Sequence, residues 1–378
     1  MSEIDHILLF ILLFLLFFYW GKVGSKVTSS YNFWQFAAIP ILVYSIIVGS
    51  RYGWGPDYIS YKYRLEHADT YKEEQVGFKI LNQFINSSGF GFIGGYILYS
   101  LIFIICSFVL IRHFRKQGMY MYAFFIPSTL IFVTSAIRQG LALSFIMLAI
   151  YFYEKKRWIT CILIIMIGYT IHSSILVTAI IMAIIFVFTK KPINWKITVI
   201  FYLIVTIFFQ KSSMNILTNF LQNNVNLTNG FQSYIDNADV WFGDEGANDI
   251  FEQSTFTLVI SSMFYISLIY LGYKALQIYP DLLISKIYNV VVIGIIFYRI
   301  VFLYEILRRF AEPLIMLNYI VLGYVFFVMS RQNISYAYLK PEDKVLLRLN
   351  ASIVIIYLLL FWSRFIFMNP DAKFFWSL

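Results

Sequence analysis

Residues 91–111 read Gly-Phe-Ile-Gly-Gly-Tyr-Ile-Leu-Tyr-Ser-Leu-Ile-Phe-Ile-Ile-Cys-Ser-Phe-Val-Leu-Ile, with no charged side chain, and Arg112 and His113 close the run. A helix crossing a bilayer needs about 20 mostly apolar residues, and this stretch supplies them. Runs of the same kind recur at 5–20, 33–50, 120–136, 139–153, 158–171, 174–189, 196–210, 254–273, 287–304, 312–330 and 348–365. The stretch 158–189 reads as one bent helix or two short ones, so the expected number of spans is ten to twelve. The runs are too long and too evenly apolar for barrel strands, and an open backbone has no hydrogen-bond partner in lipid. The expected fold is therefore an all-α polytopic integral membrane protein, with residues 1–378 as a single transmembrane domain.

Composition agrees. Of 378 residues, 60% are hydrophobic and 13% charged, about half the usual charged share of roughly 25%. A soluble domain could not cover that much apolar surface. The first run opens on Glu3 and Asp5 rather than a basic segment, and reads as a retained span rather than a cleaved leader. Cys106 and Cys161 both lie in apolar runs, which predicts neither a disulfide nor a metal site.

The net charge of +9 is distributed by side. With Glu3 and Asp5 placed outside and the spans alternating, one set of short loops carries Lys22, Lys26, Arg112, Arg115, Lys116, Lys155-Lys156-Arg157, Lys190, Lys191, Lys196 and further basic residues. Against them stand only Glu154, Asp281, Glu342 and Asp343. Excess Lys and Arg marks cytoplasmic loops, so both termini and the two longer loops, 51–90 and 211–253, are expected on the outer side. The basic balance is topological and predicts no nucleic-acid partner.

Chemistry-bearing residues gather at the outer ends of the spans. Arg51-Tyr-Gly-Trp-Gly-Pro-Asp57-Tyr58 holds two glycines and a proline that force a turn, which would fix Arg51 and Asp57 at the membrane edge. Glu73-Glu74-Gln75-Val76-Gly77-Phe78 precedes Leu81, Phe84 and Ile85 at helical spacing, which places a carboxylate near a helix start. Ser135-Ala-Ile-Arg138-Gln139-Gly140 puts an arginine between two apolar runs, close to membrane depth, where Arg costs about 2.5–3.5 kcal/mol and needs a partner or a task. Arg308-Arg309-Phe-Ala-Glu312 follows Arg299 and Glu305, and the i,i+4 spacing suits a Glu305–Arg309 ion pair. His172, in Thr170-Ile-His172-Ser-Ser174, sits at the outer end of a short run and has the pKa range of a general base. Each feature also has a structural reading: aromatic belt, exposed helix end, snorkelling arginine, or hydrogen-bonded histidine.

Arginine's planar fork grips phosphate oxygens bidentately and stays charged when partly dehydrated. Arg51, Arg138, Arg308 and Arg309 are thus expected to hold a pyrophosphate at headgroup depth, facing one shared cavity. A lipid pyrophosphate is a good leaving group, and a base (His172, Asp57 or Glu74) could take a proton from an acceptor sugar hydroxyl. The loop 211–253, with Asn223, Asn224, Asn226, Asn229, Gln232, Tyr234, Asp236 and Trp241, offers amides, a carboxylate and rings suited to sugar. No P-loop, dinucleotide fingerprint, nucleophile elbow or metal-ligand spacing is present, so no cofactor and no metal are expected.

These pieces together resemble the EpsG-like branch of Wzy-type bacterial polysaccharide polymerases. The resemblance rests on Arg51-x-Gly-x-Gly-x-Asp57-Tyr58, Glu74-x-x-Gly77-Phe78, Ile137-Arg138-Gln139-Gly140-Leu141-Ala142, His172-Ser-Ser and Arg308-Arg309-Phe310, in an order covering roughly residues 40 to 320. It implies a GT-C-like membrane glycosyltransferase in the bacterial cytoplasmic membrane, with its site facing outward. Such an enzyme would join undecaprenyl-pyrophosphate-linked oligosaccharide units, donor to acceptor. Tyr58, Gln139, Arg299 and Glu305 would add substrate contacts, and a chain-length regulator and a flippase would be its protein partners. A lipid-linked glycan flippase, an O-antigen ligase or a membrane acyltransferase would use similar residues. A transporter, however, should line a path through the membrane and show internal repeats, and none is visible.

Overall fold

In the computed structural model the described residues are 3–27, 29–53, 55, 57–72, 75–208, 254–330, 334–367 and 373–374, with side chains described for these except 3–7, 30, 305–306, 334–335, 362–367 and 373–374. The expected loop 211–253 lies outside them.

Helices occupy all twelve apolar runs. The chain forms α1 (Glu3–Ser25), α2 (Ser30–Gly49), β1 (Arg51–Tyr52), α3 (Tyr58–Glu66), α4 (Val76–Ser87), α5 (Gly91–His113), α6 (Gly118–Thr134), α7 (Ile137–Glu154), α8 (Trp158–Ile171), α9 (Ile175–Phe188) and α10 (Trp195–Phe208). It continues with α11 (Thr255–Ile278), α12 (Leu282–Ile300), α13 (Glu305–Met316), α14 (Asn318–Met329), α15 (Ile334–Ala337), α16 (Pro341–Phe367) and β2 (Lys373–Phe374), which pairs with β1. Seven segments among the described residues are long and apolar enough to cross a membrane, and α8, α9 and α10 are shorter apolar helices.

Three details refine the sequence reading. The stretch 158–189 is two helices, because His172 leaves α8 in an extended conformation (φ −152°, ψ 117°). The run 312–330 is the end of α13 followed by α14, separated by Leu317. Pro313 lies inside α13, where its missing N–H removes one helical bond. The connection 51–90 is largely helical rather than irregular, since α3 and α4 fill most of it.

The chain divides into two compact units. Unit one comprises residues 1–184, 318–339 and 358–378. Within it α7 packs on α8 and α5, α6 on α1 and α14, and α2 on α5. Its centre is aromatic. Phe17 stacks on Phe125 and meets Phe108 edge-on, and Tyr319 meets Phe125 edge-on. Burying such rings accounts for part of the 20% aromatic content.

Unit two comprises residues 185–317 and 340–357, with α12 packed on α13 and α10. Asn289 on α12 is fully buried. Its Oδ1 accepts from the Ile193 amide at 2.8 Å and its Nδ2 donates to the Lys191 carbonyl at 2.9 Å. One side chain thus satisfies two backbone groups of the connection between α9 and α10. Asn289→Leu is expected to strand both groups at a cost of roughly 1–3 kcal/mol, read as a lower unfolding midpoint of the detergent-solubilised protein. A wild-type midpoint would contradict this role.

Candidate functional site

At one end of unit one, three sequence-distant pieces meet. The first is the turn after α2. Gly53 and Gly55 have φ of +72° and +85°, as the sequence requires. A Cβ at Gly55 would stand 2.6 Å from the Thr134 carbonyl oxygen and 2.8 Å from Ser135 Oγ, so the turn is seated against the C-terminus of α6. The second is the α3–α4 pair, docked on α5. Tyr58, Tyr61 and Leu65 of α3, and Phe78, Asn82 and Ile85 of α4, turn inward, and the Tyr99 hydroxyl of α5 donates to Asn82 Oδ1. The third is the start of α7, where Arg138 and Gln139 occupy the first turn.

Rings connect the cations. Arg51 is 1% exposed, its guanidinium 4.9 Å from the Tyr96 ring centroid, and Nη1 donates to the Val48 carbonyl. Its Nε finds no hydrogen-bond partner among the described residues. Burial pushes the Arg51 pKa down to about 10, opposed by Tyr96, Tyr58 and Tyr44, so the group remains a cation at neutral pH. Tyr96 stacks on Tyr58, donates to its carbonyl at 2.8 Å, and meets Tyr99 edge-on. Tyr99 contacts Phe78, and the Arg138 guanidinium lies 5.9 Å from the Phe78 centroid. The aromatic faces hold both cations by their quadrupoles.

Tyr61 is the neighbour that the sequence reading passed over. Its ring meets Phe78 edge-on, and its hydroxyl accepts from the Arg138 backbone amide. Burial raises its pKa, while Arg138 opposes and Asp57 adds to the shift. Asp57 is half-buried at the N-terminus of α3 and its side chain makes no cap bond. Arg64 extends the array over Tyr61 and Tyr71. The signal that could have found Tyr61 is the spacing of Tyr58, Tyr61 and Leu65, one inward face of a short helix. Of the expected substrate contacts in this unit, Tyr58 and Gln139 are 0% and 3% exposed.

His172 approaches the same end through α4. Gly77, next to Phe78, lies directly against Thr170 of α8. His172 Nδ1 accepts from the Ser174 amide at 3.2 Å and lies 2.9 Å from Ser174 Oγ. With Nδ1 accepting, the neutral ring carries its proton on Nε2, which makes Nε2 a donor. Glu73 and Glu74 lie outside the described residues.

Unit two holds the other candidate arginines, Arg299, Arg308 and Arg309. Arg299 and Arg308 both lie over the Phe302 ring, at 5.5 and 5.9 Å, and Arg308 also faces Tyr298 at 5.7 Å. The i,i+4 pair formed here is Arg308–Glu312, with Nη2 and Nε donating to one carboxylate oxygen at 2.8 and 3.1 Å. The sequence pointed to Glu305–Arg309. The Glu305 side chain lies outside the described residues, and Arg309 is exposed.

Fold and composition together define an all-α, multi-pass membrane protein with a clustered arginine–aromatic end. The chain belongs to the EpsG family, whose model matches residues 34–377. It is thereby a membrane protein of the polysaccharide polymerase type. No curated protein and no solved structure matches it significantly.

Proposed function

We propose that the protein is a glycosyltransferase that joins undecaprenyl-pyrophosphate-linked oligosaccharide units at the outer face of the bacterial cytoplasmic membrane. The observation that carries this reading is the convergence, in a member of the EpsG family, of the Arg51–Asp57 turn, the Tyr61–Phe78 pair and the first turn of α7.

The start of α7 is a positive dipole end, and Arg138 adds a fork of donors there. Pyrophosphate oxygens of the donor are its natural ligand, and the lipid chain would remain in the bilayer. Arg51, Arg308 and Arg309 supply further positive charge, with Arg299 and Glu305 as substrate contacts, while the buried Tyr58 and Gln139 support the turn and the start of α7 from within. The acceptor hydroxyl loses its proton to a carboxylate, Asp57 or Glu74, as its oxygen bonds the anomeric carbon. The bond to the pyrophosphate breaks and its electron pair leaves with undecaprenyl pyrophosphate. His172, donating from Nε2 in its present hydrogen bonding, suits a phosphate or sugar oxygen better than proton abstraction. A chain-length regulator and a flippase would act beside it.

Deleting the gene and sizing the surface glycan tests the assignment. The expected result is loss of long chains with single repeat units retained. Loss of every surface unit would point to a flippase, and unchanged chain length would refute both.

A further inference from the structure

We propose that α4 is an in-plane membrane helix whose Val76, Ile80 and Phe84 side chains are seated among lipid acyl chains. The three are 63%, 59% and 56% exposed and follow one another at i, i+4 and i+8, while Phe78, Asn82 and Ile85 face the protein. At about 100° per residue, Gly77 and Leu81 fill the arc between the exposed stripe and the buried side. Apolar surface therefore runs unbroken from the protein contact onto the free face. Lys79, Gln83 and Asn86 take the remaining arc, and the exposed Ser87 falls in line with the stripe at its C-terminal end. A helix with a polar flank beside a broad apolar one lies along the headgroup–acyl boundary, its apolar side roughly 5–10 Å deep.

The depth of α4 follows from the helix it rests on. α8 has 14 residues, a length of about 21 Å at 1.5 Å per residue, against a hydrocarbon core of about 30 Å. Its N-terminus follows Lys155-Lys156-Arg157, which belong among headgroups. Its other end therefore stops roughly 9 Å short of the opposite boundary. Gly77 of α4 packs on Thr170 in that last turn, so α4 covers the shortfall at hydrocarbon level. Ile159, Ile162, Leu163, Met166 and Ile167 of α8 are 50–77% exposed, and the α4 stripe continues this lipid-facing surface. The inner face of α4 carries Phe78, over which Arg138 lies, so lipid contact on the outer face sets the depth of that arginine. The inference stands independently of the reaction proposed above.

Spin labels test it in the full chain reconstituted in phospholipid nanodiscs, with Cys106→Ala and Cys161→Ala as background. Labels are placed at Ile80→Cys and, on the polar flank, at Gln83→Cys, and Phe84→Cys repeats the apolar position. Collision rates are measured with oxygen, which concentrates in acyl chains, and with a water-soluble nickel chelate. The expected oxygen-to-nickel ratio is several-fold higher at 80 and 84 than at 83. Nickel access at 80 and 84 matching that at 83 would put the stripe in water and overturn the proposal. Low rates with both reagents would place it under protein and overturn it equally.

Discussion

Cells whose only copy of the protein carries Arg138→Ala are expected to show single repeat units and no long surface glycan, with the protein still present in the membrane. The expected loss of polymerising rate is at least about 100-fold, the scale of removing one donor aimed at developing charge. Arg138 sits in the first turn of α7 over Phe78, and its backbone amide is held by the Tyr61 hydroxyl. Truncating the side chain leaves that backbone bond and the rings in place, so the lesion is one of charge and fork geometry. Arg309→Ala, in unit two, is expected to act in the same direction. Arg138→Lys should also shorten the glycan, because a point charge cannot reproduce two parallel N–H donors. The measurement is glycan length on a gel beside membrane protein level, and wild-type chain length in the lysine variant would refute bidentate binding.

Gly140→Ala is expected to lower the unfolding midpoint of the detergent-solubilised protein, at a cost of roughly 1–3 kcal/mol for overpacking. The new methyl would overlap the Phe132 carbonyl oxygen and stand 2.8 Å from its carbon, backbone that cannot turn aside as a side chain would. Relief requires α6 and α7 to separate at the turn that carries Arg138. Gly168→Ala is the comparison: its Cβ would meet the Ala142 oxygen at 3.2 Å and Phe145 Cβ at 3.3 Å, a contact that shifts of a few tenths of an ångström relieve. Equal midpoints for Gly140→Ala and wild type would show that the helices separate at little cost.

The need for glycine beside Arg138 could not be read from the one-dimensional pattern, although Arg138-Gln139-Gly140 stood out as a motif. Gly53 and Gly55 were different. Their role is local, a positive φ in a turn, and the Gly-Trp-Gly-Pro string announces it. The unit-two arginines show the same limit. Two i,i+4 pairings were available to α13, and the described one is Arg308–Glu312, with Arg308 lodged between Tyr298 and Phe302. Those rings come from α12 and the segment after it, which spacing along α13 does not report.

The amino-acid sequence by itself determined the helical, membrane-spanning class and the twelve helical runs, because in lipid each span must satisfy its backbone internally and its length is set by bilayer thickness. It also marked the residues at the span ends, since charged side chains are few and stand out against apolar runs. Only the tertiary structure decided that Arg51 is closed in against Tyr96, that Tyr61 and Phe78 flank Arg138, and that α4 rests on the short end of α8. Those contacts join β1, α3, α4, α5, α7 and α8, and they depend on how apolar helices with few polar guides fit side by side. That fit is set by side-chain shape over many weak contacts, which no periodicity along the chain encodes.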